Sequence, residues 1–399
     1  MSNKDKASLM PKLRFPEFQS AKGWTSRELG DCLDYLQPTQ YLVNSTAYSD
    51  NYEIPVVTAG KTFILGYTNE TEGVFGQPLP VIIFDDFTTA TQYVDFRFKA
   101  KSSAMKILLA KQNANIKFIY ESMQQIDYEV GAHGRHWISA YSKIKVSVPE
   151  PEEQQKIADC LSSLDELIAA QARKVGALKT HKKGLMQQLF PREGETQPRL
   201  RFPEFNNAGE WTPKTIGQLG EVVTGSTPST AKPEYYGGDR HFVSPADISD
   251  NRFIEKTKTT LTELGFLETR PIKANSILFV CIGSTIGKIA QNRQECATNQ
   301  QINAVMPNSE NSEGFVYYAL SGIADKIANI AGRQAVPIVN KSLFSSVELT
   351  APKLPEQKRI ANFLSSLDET IFAETQQLEA LKTHKKGLMQ QLFPCITEN

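Results

Sequence analysis

The stretch Ala177–Pro191, ALKTHKKGLMQQLFP, returns letter for letter at Ala380–Pro394. At the same offset of 203, Ile157-Ala158 matches Ile360-Ala361, and Leu161-Ser162-Ser163-Leu164-Asp165-Glu166 matches Leu364-Ser365-Ser366-Leu367-Asp368-Glu369. A self-match of this length in a chain of ordinary composition marks an internal duplication, and the duplication constrains the architecture before any local propensity is weighed.

In the first copy Ile157, Leu161, Leu164, Ile168, Val175, Leu178, Leu185 and Leu189 share one alternating 4,3 spacing, and in the second Ile360, Leu364, Leu367, Ile371, Leu378, Leu381, Leu388 and Leu392 do the same. The stripe is interrupted by polar residues in both, Gln171 and Lys182 in one and Glu374 and Lys385 in the other. An apolar period of 3.5 residues sustained over about five heptads predicts a coiled coil, and two matching stripes in one chain most simply bury each other. Two unrelated amphipathic helices on separate cores are the alternative. Pro151 and Pro355 stand near the starts, where a missing N–H costs nothing, with Glu152, Glu153 and Glu356 in the first turn. Pro191 and Pro394 close the ends. The runs Lys179-Thr180-His181-Lys182-Lys183 and Lys382-Thr383-His384-Lys385-Lys386 suit nucleic-acid contact or a solvated helix face equally well. Gly184 and Gly387 recur although glycine inside a helix costs roughly 0.5–1 kcal/mol relative to alanine. Close approach of another backbone or fraying of the last turns would explain them.

A second repeat opens each half. Pro11-Lys12-Leu13-Arg14-Phe15-Pro16-Glu17-Phe18 matches Pro198-Arg199-Leu200-Arg201-Phe202-Pro203-Glu204-Phe205, and Trp24-Thr25 matches Trp211-Thr212. This offset is 187 rather than 203, so the second globular region is longer by the difference, 16 residues. The order is short motif, globular region, long helix, then the same again. A pseudo-twofold, cyclic arrangement then requires the N-terminal motif to dock near the end of the second helix, with the helices antiparallel. A 39-residue helix would be roughly 58 Å long.

At 399 residues, with 40% hydrophobic and 22% charged residues, the chain has the composition of two or more globular domains. Lys plus Arg equals Asp plus Glu at 44 each, so no global basic field advertises a nucleic-acid partner, although local patches remain open. Cys32, Cys160, Cys281, Cys296 and Cys395 are odd in number and lack metal-like spacing, the pattern of reduced thiols in a cytosolic protein. Met1–Met10 has no apolar signal core, and the longest apolar run, Ile277–Ile282, is too short to span a bilayer. A cytoplasmic protein without membrane contact is expected.

The interiors of the globular regions do not resemble each other in sequence. Ile54-Pro55-Val56-Val57, Pro80–Phe84 and Lys143–Val148 predict strands in the first. Ser276–Val280 and Ser346–Leu349 predict strands in the second, with a helix near Gly314–Ala331.

No catalytic constellation emerges. Gly283-Ser284-Thr285-Ile286-Gly287-Lys288 is one residue short of a phosphate-cradling loop, with Ile289 at the magnesium-ligand position, and a tight strand-to-loop turn is the better reading. His133 and His136 lack a third ligand. Glu356-Gln357-Lys358 mimics part of a nuclease site, but the first copy reads Glu153-Gln154-Gln155, and a helix-start role explains both.

What remains are polar, glycine-interrupted segments. In the first region Thr58, Lys61, Asp86, Thr88, Thr89, Gln92, Tyr93, Arg135 and His136 stand in them. In the second region Thr227, Ser229, Tyr236, Arg240, Asn299, Gln300, Arg333 and Gln334 do. Arg suits guanine, Asn or Gln suits adenine, and Asp or Glu suits cytosine, so these residues are the candidate DNA contacts. Merely solvated loops would have the same composition.

The layout resembles the specificity subunit of type I restriction-modification systems over essentially the full chain. The carrying motifs are Pro149-Glu150-Pro151-Glu152-Glu153-Gln154-Gln155-Lys156-Ile157-Ala158, Pro352-Lys353-Leu354-Pro355-Glu356-Gln357-Lys358-Arg359-Ile360-Ala361, the Leu-Ser-Ser-Leu-Asp helices and Gly225-Ser226-Thr227-Pro228-Ser229. The first region lacks a clear counterpart of that last string. The resemblance implies an α+β chain in which two mixed α/β target-recognition domains are separated by two long antiparallel helices forming an intramolecular coiled coil. On that plan residues 1–150 hold the N-terminal segment and first recognition domain, and 151–191 the central spacer helix. Residues 192–353 hold a linker and the second recognition domain, and 354–399 the C-terminal helix and tail. The resemblance further implies a non-catalytic subunit in which each domain reads one half of a split site in double-stranded DNA. Two methyltransferase subunits using S-adenosylmethionine would dock along the helices, which are marked by Leu161, Leu164, Leu178, Leu185, Leu364, Leu367, Leu381 and Leu388. Motor-nuclease subunits would join them with ATP and magnesium. A coiled-coil scaffold presenting two protein- or glycan-binding domains is the rival reading, and it leaves the helix starts unexplained.

Overall fold

The structure, a computed structural model, describes residues 10–60, 62–130, 134–331 and 337–394. The described residues form two compact units, one running to Ala172 and resuming at Gln376, the other spanning Arg173–Thr375. The repeated stretches are single helices, Pro151–Leu189 and Leu354–Leu392, each of 39 residues. Each is shared between the units, so the compact bodies do not follow the helix boundaries. Among the described residues no helix is long and apolar enough to cross a membrane.

In the first unit Ile157, Ala158 and Leu161 share a core with Leu388, Met389, Leu392 and Phe393. The start of one helix thus meets the end of the other. In the second unit Leu185, Met186, Leu189 and Phe190 meet Ile360, Ala361, Leu364 and Leu367 in the same antiparallel sense. Three of the four polar residues interrupting the stripes, Lys182, Glu374 and Lys385, are ion-paired. Lys385 Nζ lies 2.7 Å from Asp165, Lys182 pairs with Asp368, and Lys174 reaches Glu374 at 2.6 Å. This geometry explains why the Leu-Ser-Ser-Leu-Asp and Thr-His-Lys-Lys-Gly segments repeat together.

The globular parts, unlike in sequence, share one strand order. In the first unit Leu33–Leu36, Met105–Ala110, Val81–Asp85 and Thr91–Val94 form an antiparallel sheet in that order. A three-stranded sheet runs Ile64–Thr68, Ile54–Val57, Lys99–Ala100, its last pair parallel. In the second unit Gly220–Thr224, Ile302–Pro307, Ile277–Val280 and Ile289–Asn292 repeat the first order, and Phe253–Ile254 adds an edge. Thr259–Leu261, Tyr236–Val243 and Ala297–Thr298 repeat the second. The central strands Val81–Phe84 and Ile277–Val280 are buried at every residue, as unbroken apolar runs require. The segment expected as strand from Ser346 is a helix at Lys341–Ser346 followed by strand Glu348–Ala351, and the expected helix near Gly314 is two, Glu313–Gly322 and Ala324–Ile330.

A buried carboxylate fastens each globular part to its helix. Glu153 accepts from Arg14 at 2.6 and 2.7 Å and from the Trp24 indole at 3.3 Å. Glu356 accepts from Arg201 at 2.7 and 2.8 Å and from Trp211 at 3.3 Å. Hydrogen bonding to these glutamates raises both guanidinium pKa values. The next residue, Gln154 or Gln357, donates to the Pro149 or Pro352 carbonyl at 2.9 Å. The Leu13 N–H donates to the Gln391 carbonyl at 3.0 Å, which docks the N-terminal motif at the end of the second helix as the cyclic order demands.

Glu153→Ala is expected to destabilise the first unit by about 3–5 kcal/mol, because Arg14 and Trp24 lose their acceptor in a site where the carboxylate is 2% exposed. In a denaturant-unfolding double-mutant cycle, Arg14→Ala should add much less once Glu153 is gone; additive losses would refute the clamp. At Gly184 and Gly387 an added Cβ meets nothing within 4 Å, so no backbone of the described residues approaches these glycines closely. Gly184→Ala and Gly387→Ala should each raise stability by roughly 0.5–1 kcal/mol, read as a higher unfolding midpoint.

Candidate nucleic-acid interface

In the second unit the Gly225–Ser229 string follows strand Gly220–Thr224 and lies against the turn after Ala297–Thr298. The Ser226 N–H donates to the Thr298 carbonyl at 2.9 Å. A Cβ on Gly225 would come within 2.2 Å of Thr298 Oγ1 and 2.3 Å of the Asn299 carbonyl, so only glycine fits. The Thr227 hydroxyl donates to Gln300 Oε1 at 2.7 Å, the Asn299 amide to Gln301 Oε1 at 3.0 Å, and the Tyr236 hydroxyl to the Pro228 carbonyl at 2.8 Å. Thr227, Ser229 and Gln300 are exposed. The fold therefore brings Thr227, Tyr236, Asn299 and Gln300 into one polar, preorganised cluster. Arg240 is committed elsewhere: its guanidinium pairs with Glu263 at 2.8 Å and Glu295 at 3.4 Å and stacks on Phe266. Arg333, Gln334, Lys61 and His133 lie outside the described residues.

In the first unit the candidates scatter. Thr58 turns inward on its own loop, donating to the Thr62 carbonyl and accepting from Gly60 N–H. Asp86 is 1% exposed, paired with Lys106 at 3.2 Å and accepting from Trp137 N–H at 2.9 Å. It braces the core and is not a surface reader. His136 is also buried, with Nδ1 3.3 Å from the Tyr128 hydroxyl. The His136 N–H donates to the Asp86 carbonyl, so the turn of Thr88 and Thr89 and the segment of Arg135 do come together. Arg135 and Thr88 are exposed, and Thr89 holds φ +57°. Gln92 and Tyr93 sit in strand Thr91–Val94; the Tyr93 ring faces Lys117 and Tyr120, and burial raises its pKa.

Six of the eight leucines that mark the helices pack within the units, and Leu178 and Leu381 are half-buried. Leu161 and Leu364 are fully buried and Leu164 nearly so, while Leu185, Leu367 and Leu388 pack on the unit cores.

The near-P-loop string is a hairpin connection between Ile277–Val280 and Ile289–Asn292, with Gly283 and Gly287 at φ near +95°. No helix follows it, so its N–H groups form no phosphate cradle. The Glu356 carboxylate of the nuclease-like triplet is bound by Arg201 and Trp211. Burial pushes the Cys281 and Cys296 thiols up to about 12, unlike a poised nucleophile. Among the described residues no cluster of three metal-ligating side chains exists.

Sequence reasoning missed the residues that seat each recognition fold on its helices. Lys117 reaches Asp165 and Glu121, both at 2.7 Å, and Lys385 reaches the same two carboxylates. Burial pushes the Asp165 pKa up, but hydrogen bonds from Lys117 and Lys385 outweigh it, and the net direction is down. In the second unit Arg252 donates to the Tyr318 hydroxyl at 3.0 Å and to Ser365 at 2.6 Å, and Tyr318 donates to Asp368 at 2.6 Å. Only the repeated Asp-Lys pairs gave a sequence signal for these networks.

The model of the type I restriction modification DNA specificity domain matches residues 21–180 and again 208–383. The chain is 35% identical over 362 residues to the specificity subunit of the type I restriction enzyme EcoR124I/EcoR124II of Escherichia coli, an alignment spanning 85% of each. Among solved structures, the S subunit of a type I restriction-modification system from M. genitalium superposes with TM-score 0.65 at 15% identity, covering 97% of this chain and 100% of that one. A chain from a study of complex assembly and conformational transition in a type I system gives TM-score 0.52 at 15% identity, covering 93% and 96%. At that identity the two structures attest the fold alone. With two family matches over most of its length, each taking in a recognition fold and adjoining helix, the chain belongs to the type I restriction-modification specificity subunits.

Proposed function

We propose that this chain is the non-catalytic DNA-recognition subunit of a type I restriction-modification complex, each unit reading one half of a split site in double-stranded DNA. The observation that carries this reading is a duplicated frame with unlike loops. Both units keep one strand order and one Arg–Glu–Trp clamp, while Thr227, Asn299 and Gln300 of the second have no sequence match in the first. A single binding function would not need two differently furnished copies of one fold. The helices set the spacing of the half-sites and dock two methyltransferase subunits supplying S-adenosylmethionine chemistry. Motor-nuclease subunits using ATP and magnesium complete the restriction form. A chain of similar fold from a study of complex assembly in a type I system supports a place in a multisubunit complex.

Co-expression with the neighbouring methyltransferase, followed by long-read mapping of methylated adenines across the host genome, should return a split motif with one fixed spacer. A soluble, assembled complex that yields no motif would overturn the reading. Inserting one heptad into both helices adds about 10 Å, or some 3 base pairs, and should lengthen the spacer while both half-sites stay the same. Altered half-sites would refute the spacer role.

A further inference from the structure

We propose that the base-reading surface of the first unit is Asn44-Ser45-Thr46 together with Lys101-Ser102-Ser103, with Lys101 as its specificity-determining residue. The inference rests on the DNA-recognition reading above and assigns residues that the sequence did not reveal.

The assignment follows from hydrogen bonds shared by the two units. Strand Lys99–Ala100 pairs in parallel with Ile54–Val57, Ala100 opposite Val57, just as Thr298 stands opposite Val243 in the second unit. The residue after each short strand donates back to that neighbour: Lys101 N–H to the Val57 carbonyl and Asn299 N–H to the Val243 carbonyl, both at 3.1 Å. The preceding loop docks on the same strand end: Val43 N–H donates to the Ala100 carbonyl and Ser226 N–H to the Thr298 carbonyl, both at 2.9 Å. Asn44 therefore occupies the place of Thr227, and Lys101, Ser102 and Ser103 the places of Asn299, Gln300 and Gln301. The glycine string is missing from the first unit because bulk has changed sides. Gly225 lies against Thr298, whereas Leu42 lies against Ala100.

Two further observations point to a ligand here. Six buried side-chain polar atoms lack a hydrogen-bond partner among the described residues, and three lie in or beside these segments: Tyr48 Oη two residues past Thr46 in the first unit, and Ser226 Oγ and Thr298 Oγ1, the latter at the end of its strand, in the second. Such orphans are costly unless a ligand or water satisfies them. Of the lysines beside the strand end, Lys99 is paired with Glu70 and Lys106 with Asp86. Lys101 has no carboxylate partner among the described residues and lies 5.8 Å from the Tyr48 ring centroid. A lysine at this position suits the O6 and N7 acceptors of guanine, whereas the amides of Asn299 and Gln300 suit adenine.

The test uses the complex of the full chain with its methyltransferase. Fluorescence anisotropy is measured on duplexes carrying the mapped split site, with each half-site position replaced in turn. Lys101→Ala should lose about 5- to 150-fold of discrimination at a guanine in one half-site, leaving the other half-site unaltered, and Gln300→Ala should lose a similar factor at an adenine in the other half-site only. Ser103→Ala, an exposed hydroxyl in the same turn, repeats the test should Lys101→Ala lower the melting temperature. Unchanged preference at every position in folded variants overturns the assignment while the recognition function stands. Uniform weakening on all sequences also overturns it, because the lysine then holds a phosphate. A wild-type complex without any split site overturns the underlying reading and this inference with it.

Discussion

Each long helix begins with a carboxylate that water scarcely reaches, and the rest of each unit depends on it. Glu153 and Glu356 are 2% and 3% exposed, and a lone charge there would be untenable. Arg14 and Arg201 neutralise them, and the remaining guanidinium donors are spent on backbone carbonyls of the motif's own loop, Ala21 and Lys22 in one copy and Ala208 and Gly209 in the other. The short motif before each globular region is thereby tied to the helix after it. With Leu13 bonded to Gln391 and Leu200 to Gln188, each motif also seizes the end of the other long helix. One carboxylate therefore coordinates three chain segments, which accounts for the repetition of PxxxEQ, RFPEF and QQLFP together.

The helices were legible because a heptad stripe is a local pattern that needs no knowledge of partners. The clamps were not, since their partners stand 139 and 155 residues apart and each half taken alone resembles an ordinary helix start or loop. Asp86 misled for a related reason. In Asp85-Asp86-Phe87-Thr88-Thr89 it has the company of a solvated turn, but its partner Lys106 arrives from the neighbouring strand, where Asp85 pairs with Met105. Polar loop composition does not distinguish a buried brace from an exposed reader. The common strand order was hidden for a third reason: sheet register is set by backbone hydrogen bonds, and opposed residues can exchange bulk without changing it. Leu42 on Ala100 and Gly225 on Thr298 fill equivalent space in opposite ways.

The even charge balance has a structural explanation. Many of the half-buried cations are already paired: Lys117 and Lys385 with Asp165 and Glu121, Lys182 with Asp368, Lys99 with Glu70. All but the Lys99–Glu70 pair, which lies within the first globular part, seat recognition folds on helices or the helices on each other. They contribute little net field, so attraction to a polyanion is not stored in this chain as a general basic face. In the proposed complex, phosphate neutralisation would fall largely to the partner subunits, and this chain would contribute base-edge contacts from a few preorganised turns.

That division of labour explains how the duplicated frame tolerates divergence. The clamp, the helix stripe, the Asp–Lys pairs, the Arg252 network and the buried strands hold each unit together, and the exposed side chains of the turns are not among them. Thr227, Gln300 and Ser103 are exposed, and substituting them removes no core contact. A mutation in the frame is felt throughout its unit, whereas one in these turns changes only what the surface offers to a ligand. Because the two units use the same backbone hydrogen bonds to present different side chains, on the proposed assignment either one can change its preference without disturbing the helices, and the chain as a whole can change one half of what it recognises at a time.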